Sequence, residues 1–151
     1  MTQKHTGDNK PGYLTPQRIF DQCNAIWGPF DLDVAADSQN KLCREFFTEK
    51  TSGLLNEWHG KCWMNPPYSP KGLYDWCHKA WHAVHGFTGD TSIEAVLVCA
   101  LLPAKPEQEW WQFVDHSQHI QFIRGRVTFA GAKGCAQFPS VIVVWHKRII
   151  R

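Results

Sequence analysis

Eight consecutive apolar residues, Ala95 to Leu102, run up to Pro103. The run is too short to cross a membrane, which takes about 18 apolar residues or more. It shows neither helical nor alternating period, and so predicts a strand buried on both faces. Such a strand needs a covering layer on each side, which demands a sheet packed between other elements. The chain supplies candidates for those layers. Thr15 suits a helix N-cap and Pro16 the first helical position. Ile19, Phe20, Cys23, Ile26 and Trp27 recur at helical spacing before Gly28-Pro29, predicting an amphipathic helix over 16–27. Leu73, Trp76, Cys77, Ala80 and Val84 line one side of a second helix. A third is expected from Glu107 to about Asp115, with acids in its first turn as the helix dipole prefers.

Strand-like segments alternate with these helices. Phe30 to Ala35 reads as a buried strand, and Phe46-Phe47 is a short aromatic patch. Cys62-Trp63-Met64 reads as a short strand ended by Pro66-Pro67. His119 to Ile123, Val127 to Phe129 and Val141 to Trp145 lie close together, so the C-terminal strands are expected to be antiparallel. Gly131 to Phe138 and Ser69 to Gly72 read as loops. The order argues for an α/β sheet with helices on both faces. With 151 residues, the expectation is a flexible arm over 1–12 and a single domain over 13–151. Hydrophobic residues make up 43% and charged residues 20%, which excludes a disordered or collagen-like chain. In open α/β sheets ligands bind beyond the carboxyl ends of the strands. That rule points at the residues after Val34, Met64 and Leu102.

Charge is unevenly placed. Residues 1–115 hold all 14 acids against 10 Lys and Arg, whereas 116–151 hold no acid and six bases: Arg124, Arg126, Lys133, Lys147, Arg148 and Arg151. A one-signed stretch favours a polyanion, nucleic acid first, although a solvated basic edge would look the same. The six cysteines are scattered singly with no Cys-x-x-Cys pair, so neither structural zinc nor disulfides are expected. His78, His82 and His85 form one helical stripe, but it lies off the apolar face and no acid or cysteine joins it, so no metal is expected. The first twelve residues are polar with no apolar core of a leader, and no segment is long enough to span a membrane. The expected compartment is therefore the reducing cytoplasm.

The most informative tetrad is Asn65-Pro66-Pro67-Tyr68. Two prolines remove two backbone donors and stiffen the turn. Asn65 sets a neutral amide at the strand's end, the Pro66 carbonyl can accept a hydrogen bond, and Tyr68 offers a flat amphipathic ring. Together they would make a receptor for a planar amino group. An ordinary proline turn beside an aromatic would carry the same residues.

These residues resemble a known family. Asn-Pro-Pro-Tyr is the catalytic motif of S-adenosylmethionine-dependent methyltransferases that act on exocyclic or amide nitrogen. Tyr13-Leu14-Thr15-Pro16 looks like the cofactor-contacting N-terminal segment of adenine methyltransferases, and Phe30-Asp31-Leu32-Asp33-Val34-Ala35-Ala36 sits where their first cofactor strand belongs. Leu101-Leu102-Pro103-Ala104 followed by Trp110-Trp111, then Ile123-Arg124-Gly125-Arg126 and Phe138-Pro139-Ser140, complete a pattern similar to the small phage-type DNA N6-adenine methyltransferase (Dam) family over about residues 13–146. The resemblance implies a compact Rossmann-like class-I sheet. Only 31 residues separate Asp33 from Asn65, so that sheet should be trimmed between the first cofactor strand and the catalytic motif. Asp33-Val34-Ala35-Ala36 also lacks the glycines of the wider superfamily, so the cofactor turn should differ. Ser52-Gly53-Leu54 stands where the family often carries an acid before Gly-Leu.

What the resemblance implies is methyl transfer from S-adenosylmethionine to adenine N6 in DNA, catalysed by Asn65, Pro66, Pro67 and Tyr68. Tyr13, Thr15, Pro16, Asp33, Ala35, Glu49 and Asn65 would bind the cofactor, with Glu49 on the ribose hydroxyls. Trp110-Trp111 would wall the pocket or pack the core. N6 lies inside a duplex stack, so the base must be extruded or already single-stranded, and Tyr68 would stack on it. Arg124, Arg126, Lys133 and Lys71 would hold phosphates. The partner is then DNA, with no metal, no membrane and a homodimer as an open arrangement. A phage-encoded chain would work in the host cytoplasm, in modification of the kind that restriction systems read. Two alternatives remain at this point: another amino nitrogen (cytosine N4, an RNA base or a protein glutamine), or a catalytically silent module that binds cofactor or DNA.

Overall fold

The computed structural model describes residues 13–86 and 94–147. The expected arm over 1–12, and Arg148 and Arg151 of the basic stretch, lie outside the described residues. Among the described residues, three helices and six strands follow in the order α1 (Gln17–Trp27), β1 (Leu32–Asp33), β2 (Glu45–Phe46), β3 (His59–Met64), α2 (Pro70–His85), β4 (Glu94–Pro103), α3 (Trp111–Val114), β5 (His119–Phe122) and β6 (Ser140–His146). One sheet takes all six strands in the order β2-β1-β3-β4-β6-β5. The first four are mutually parallel, and β6 runs antiparallel to both β4 and β5.

The apolar run of β4 is covered on both faces, as its composition requires. Val98, Ala100 and Leu102 pack with Cys62 and Met64 of β3, Val141, Val143 and Trp145 of β6, and the apolar side of α2. The alternate residues Leu97, Cys99 and Leu101 pack with Trp63, Ile142 and Val144 against Ile19, Phe20 and Cys23 of α1. The period-two alternation of three adjacent strands thus builds two cores from one sheet. Trp110 and Trp111 are both buried in the α2-side core.

Several expected boundaries shift. The N-cap of α1 is Pro16, with no side-chain cap bond, so Thr15 does not cap the helix. The strand expected over Phe30–Ala35 has a regular ladder only at Leu32–Asp33. Flanking bonds from Asp31 N to the Lys61 carbonyl (2.7 Å) and from Val34 N to the Trp63 carbonyl (3.1 Å) nevertheless keep the segment beside β3. β3 begins three residues earlier than expected, because His59, Gly60 and Lys61 carry no apolar signal; their place is set by pairing with Glu94, Ala95 and Leu97 of β4, and Asp31 Oδ2 accepts from Lys61 N at 2.9 Å.

Residues 69–72 are not a loop. Ser69 caps α2 by accepting from Gly72 N at 3.1 Å, and Pro70 starts the first turn, where its missing N–H costs nothing. The third helix is only Trp111–Val114. Ahead of it, Gln108 N bonds the Lys105 carbonyl and Trp111 N the Gln108 carbonyl, which are tight i to i−3 turns that place Glu107 and Glu109 outside the helix. Val127–Phe129 forms no strand. Val127 and Phe129 are buried anchors of a loop, tied by Ala136 N to the Val127 carbonyl at 2.8 Å and Ala130 N to the Leu14 carbonyl at 2.9 Å.

The trimming is visible between β1 and β3: one two-residue strand and no helix fill the interval. The chain closes tightly there. A Cβ on Gly53 would strike the Val34 carbonyl oxygen and the Trp76 ring, and Trp58 Nε1 donates to the Gly53 carbonyl at 2.7 Å. No helix among the described residues is long and apolar enough to cross a membrane.

Candidate active site

Asn65 follows the last residue of β3, at the carboxyl end of the parallel strands. Its amide is held from three sides. Nδ2 donates to the Tyr13 carbonyl at 2.7 Å and to Thr15 Oγ1 at 2.9 Å. Tyr68 Oη donates toward Asn65 Oδ1 at 2.6 Å and lies 2.8 Å from the Leu101 carbonyl. A phenol has one proton, so it serves one of these acceptors at a time. Burial raises the Tyr68 phenol well above its usual pKa, which keeps it a neutral donor. Both amide protons of Asn65 are therefore spent on the protein, and its carbonyl oxygen keeps a lone pair for an incoming donor. Beside it, the Pro66 carbonyl takes no backbone or side-chain donor among the described hydrogen bonds. Pro67 is exposed.

The Tyr68 ring stands in an aromatic wall. Tyr13, Phe138 and Phe129 lie 5.1, 5.8 and 6.0 Å from it between ring centroids. Phe129 and Phe138 bracket the glycine-rich loop before β6, so this loop is pinned to the site at both ends.

A small open cleft lies beside Asn65, lined by Tyr13, Leu14, Thr15, Asp33, Ala35, Asn40, Leu42, Trp63 and Asn65. It lies between the ends of β1 and β3 and the strap that precedes α1. Asp33 is 3% exposed. Its Oδ1 accepts from Ala35 N at 3.4 Å and its Oδ2 from Leu42 N at 3.1 Å. Burial outweighs these two bonds and pushes its pKa up to about 6. No salt bridge to Asp33 is found among the described residues. The turn that brings Leu42 in is closed by Asp37, whose Oδ1 accepts from Gln39 N (2.8 Å) and Asn40 N (3.0 Å). Trp63 is fully buried, and its indole N–H has no partner.

Of the residues expected at the site, Tyr13, Thr15, Asp33, Ala35 and Asn65 converge on this cleft. Pro16 sits one residue beyond, as the α1 cap. Glu49 is exposed in the turn after β2 and does not line the cleft. Arg124, Arg126, Lys133 and Lys71 are all exposed. β5 runs parallel to β3 and β4, so residues 123–126 leave the sheet at the same end as Asn65. Lys71, in the first turn of α2, starts from that end too. Leu14 lines the cleft as part of the expected Tyr13–Pro16 segment, whereas sequence reasoning missed Asn40, Leu42 and Trp63 as cleft residues. Asn40 and Leu42 sit in a polar stretch without period, but Trp63, two residues before the motif and between two inward-facing neighbours, could have been placed from alternation. It also missed Lys105, whose Nζ stands 5.4 Å from the Phe138 ring centroid. No group of three or more His, Cys, Asp or Glu side chains is arranged to hold a metal among the described residues.

Known proteins share this pattern. The chain is 32% identical over 80 residues to a DNA N-6-adenine-methyltransferase of Escherichia phage T1, an alignment covering 48% of this chain and 33% of that protein. It is 36% identical over 72 residues to a DNA N-6-adenine-methyltransferase of Haemophilus phage HP1 (strain HP1c1), covering 46% and 42%. The aligned part thus spans less than half the length of either relative. The model of the family described as DNA N-6-adenine-methyltransferase (Dam) matches residues 2–147. Matched over nearly its whole length, and with the Asn-Pro-Pro-Tyr corner opening on a cleft at the strand ends, the chain belongs to the Dam family of DNA N-6-adenine-methyltransferases.

Proposed function

We propose that this protein methylates N6 of adenine in DNA, using S-adenosylmethionine. The observation that carries the reading is the orientation of Asn65. With both amide protons donated to Tyr13 and Thr15, the side chain can act toward a substrate only as an acceptor. It therefore suits an amino group, which brings donors, rather than a ring nitrogen or carbonyl. The Pro66 carbonyl offers a second acceptor one residue on.

The cleft fits the cofactor's charges. Asp33 is a buried carboxylate held by two backbone donors, suited to the α-ammonium of the amino-acid end. Tyr13, Thr15 and Ala35 line the same cleft; Tyr13 and Ala35 would hold the rest, while Thr15 holds the Asn65 amide. When bound, S-adenosylmethionine supplies an electrophilic methyl group on a sulfonium. The protein's part is acceptance and alignment. An aryl amine is a poor nucleophile because its lone pair is delocalised into the ring. Asn65 Oδ1 and the Pro66 carbonyl accept its two N–H bonds, which favours a pyramidal nitrogen with the lone pair directed outward. As the donor would depart as a neutral thioether, positive charge develops on that nitrogen, both acceptors bind it more strongly than in the ground state, and one of its N–H protons is lost after transfer. The tyrosine wall excludes water and limits the base's approach to one plane, and fixed geometry supplies the remaining advantage. Arg124, Arg126, Lys133 and Lys71 are suited to the phosphates, in line with the acid-free C-terminal stretch.

The test is transfer of tritiated methyl from labelled cofactor to DNA, followed by digestion to nucleosides. Label on deoxyadenosine is expected; label on deoxycytidine, or none on DNA, would overturn the assignment. Asn65→Ala should lower turnover by about 10²- to 10³-fold.

A further inference from the structure

Three large indoles are buried in this protein in contrasting ways. Trp58 Nε1 donates to the Gly53 carbonyl at 2.7 Å, and Trp145 Nε1 donates to the Phe113 carbonyl at 2.9 Å. Trp63 is equally enclosed, at 0% exposure, yet its Nε1 has no partner. Buried donors are almost always satisfied, and an orphaned one costs about 1–3 kcal/mol. Packing alone does not call for it: Trp63 meets Phe20 at 5.4 Å and Phe30 at 5.7 Å between ring centroids, contacts a phenyl ring could make without burying an N–H. Trp63 also lines the cleft beside Asp33 and Asn65.

We propose that the indole N–H of Trp63 donates a hydrogen bond to the α-carboxylate of S-adenosylmethionine. This rests on the cofactor reading given above and adds a residue to it. The amino-acid end of that molecule carries an ammonium and a carboxylate on one carbon, so a pocket that seats the first beside Asp33 must find a donor for the second close by. None of the nine lining residues is Lys or Arg. Asn40 Nδ2 gives one N–H to Asp37 Oδ2 at 2.8 Å, and Thr15 Oγ1 accepts from Asn65 Nδ2 at 2.9 Å. Trp63 is the lining residue whose side-chain donor is fully buried without a partner.

The test compares two inert ligands by calorimetry. S-adenosylhomocysteine keeps the amino-acid end, whereas 5′-methylthioadenosine lacks it. Trp63→Phe should weaken S-adenosylhomocysteine by about 10-fold or more, as expected for a lost hydrogen bond to a charged group. It should leave 5′-methylthioadenosine unchanged. Equal loss for both ligands, or no loss for either, overturns the proposal. A parent chain that binds neither ligand overturns the cofactor reading itself, which is a different result. A measurement on the unaltered chain covers a variant that does not fold. One tryptophan indole N–H resonance should move downfield with S-adenosylhomocysteine and stay with 5′-methylthioadenosine; indole resonances that respond alike to both would refute it.

Discussion

A threonine just before a helix ordinarily spends its hydroxyl on the helix's own N–H groups. Thr15 spends it on Asn65, 50 positions away, at 2.9 Å, and α1 goes without a side-chain cap. A cap is worth about 1 kcal/mol, so the chain gives up helix stability to fix one amide. The amide needs fixing because its two ends are nearly the same shape and only one of them accepts. Tyr68 completes the hold from the other side at 2.6 Å. Thr15→Val keeps the shape and removes the acceptor. It should lower kcat by about 10-fold, the worth of one positioning hydrogen bond, and leave the affinity for S-adenosylhomocysteine within about two-fold. Thr15→Ser should restore turnover. A loss of ligand affinity with intact kcat would instead make Thr15 a cofactor contact. Tyr68→Phe belongs to the same experiment: it removes the O–H that meets Asn65 and Leu101 while keeping the ring, so turnover should fall by a similar factor.

At the level of elements, the basic loop is the part that moves the reading from any methyl acceptor toward DNA. Residues 123–126 leave β5 at the Asn65 end, and Phe129 and Phe138 fasten the following loop against Tyr13 and Tyr68. Arg124→Ala and Arg126→Ala should each make the dependence of log K on log salt shallower by about 0.9, if each arginine holds one phosphate. Binding titrations at several salt concentrations check this, and an unchanged slope removes that residue from the contact. The loop also shows which features a sequence exposes. β4 and β6 were legible because continuous apolar runs have few places to go. α1 and α2 were legible because their faces repeat. The strand expected at Val127–Phe129 was misread because burial of two residues at alternate positions looks like a strand; here they are loop anchors with a single bridge, Leu14 to Ala130. The helix expected over 107–115 was misread because acids near an aromatic pair suit a helix start equally well as a series of tight turns. Within the site, the motif and Asp33 were legible from chemistry and position. Asn40 and Leu42 were not, since their place is set by the tight turn that Asp37 closes and by the bond from Leu42 N to Asp33 Oδ2, in a polar stretch with no period to read.

For the molecule as a whole, Asp33 couples folding to ligand through pH. Burial lifts its pKa from an ordinary 3.8 to about 6. As pH rises through the lower value the unfolded chain releases this proton first, so the folded state holds more protons between the two pKa values and loses stability as pH rises. The contribution is fully present below about pH 4 and lost above about pH 6, on the order of 3 kcal/mol for a shift of this size. A cation brought against the ionised carboxylate reverses the balance. The α-ammonium of the cofactor favours the charged form, so ligand affinity should rise through about pH 6 and level off above it. Melting temperatures of the ligand-free chain should therefore carry a downward component across this range, and saturating S-adenosylhomocysteine should flatten it. Other carboxylates titrate over the same interval, so the component is read as the difference from Asp33→Asn. That variant gives one backbone N–H an amide donor in place of an acceptor, which lowers its melting temperature by an offset, but the offset does not vary with pH. Parallel melting curves for the two proteins across the range would mean that Asp33 ionises freely, and a pH-independent affinity in the parent would remove it from the cofactor's ammonium.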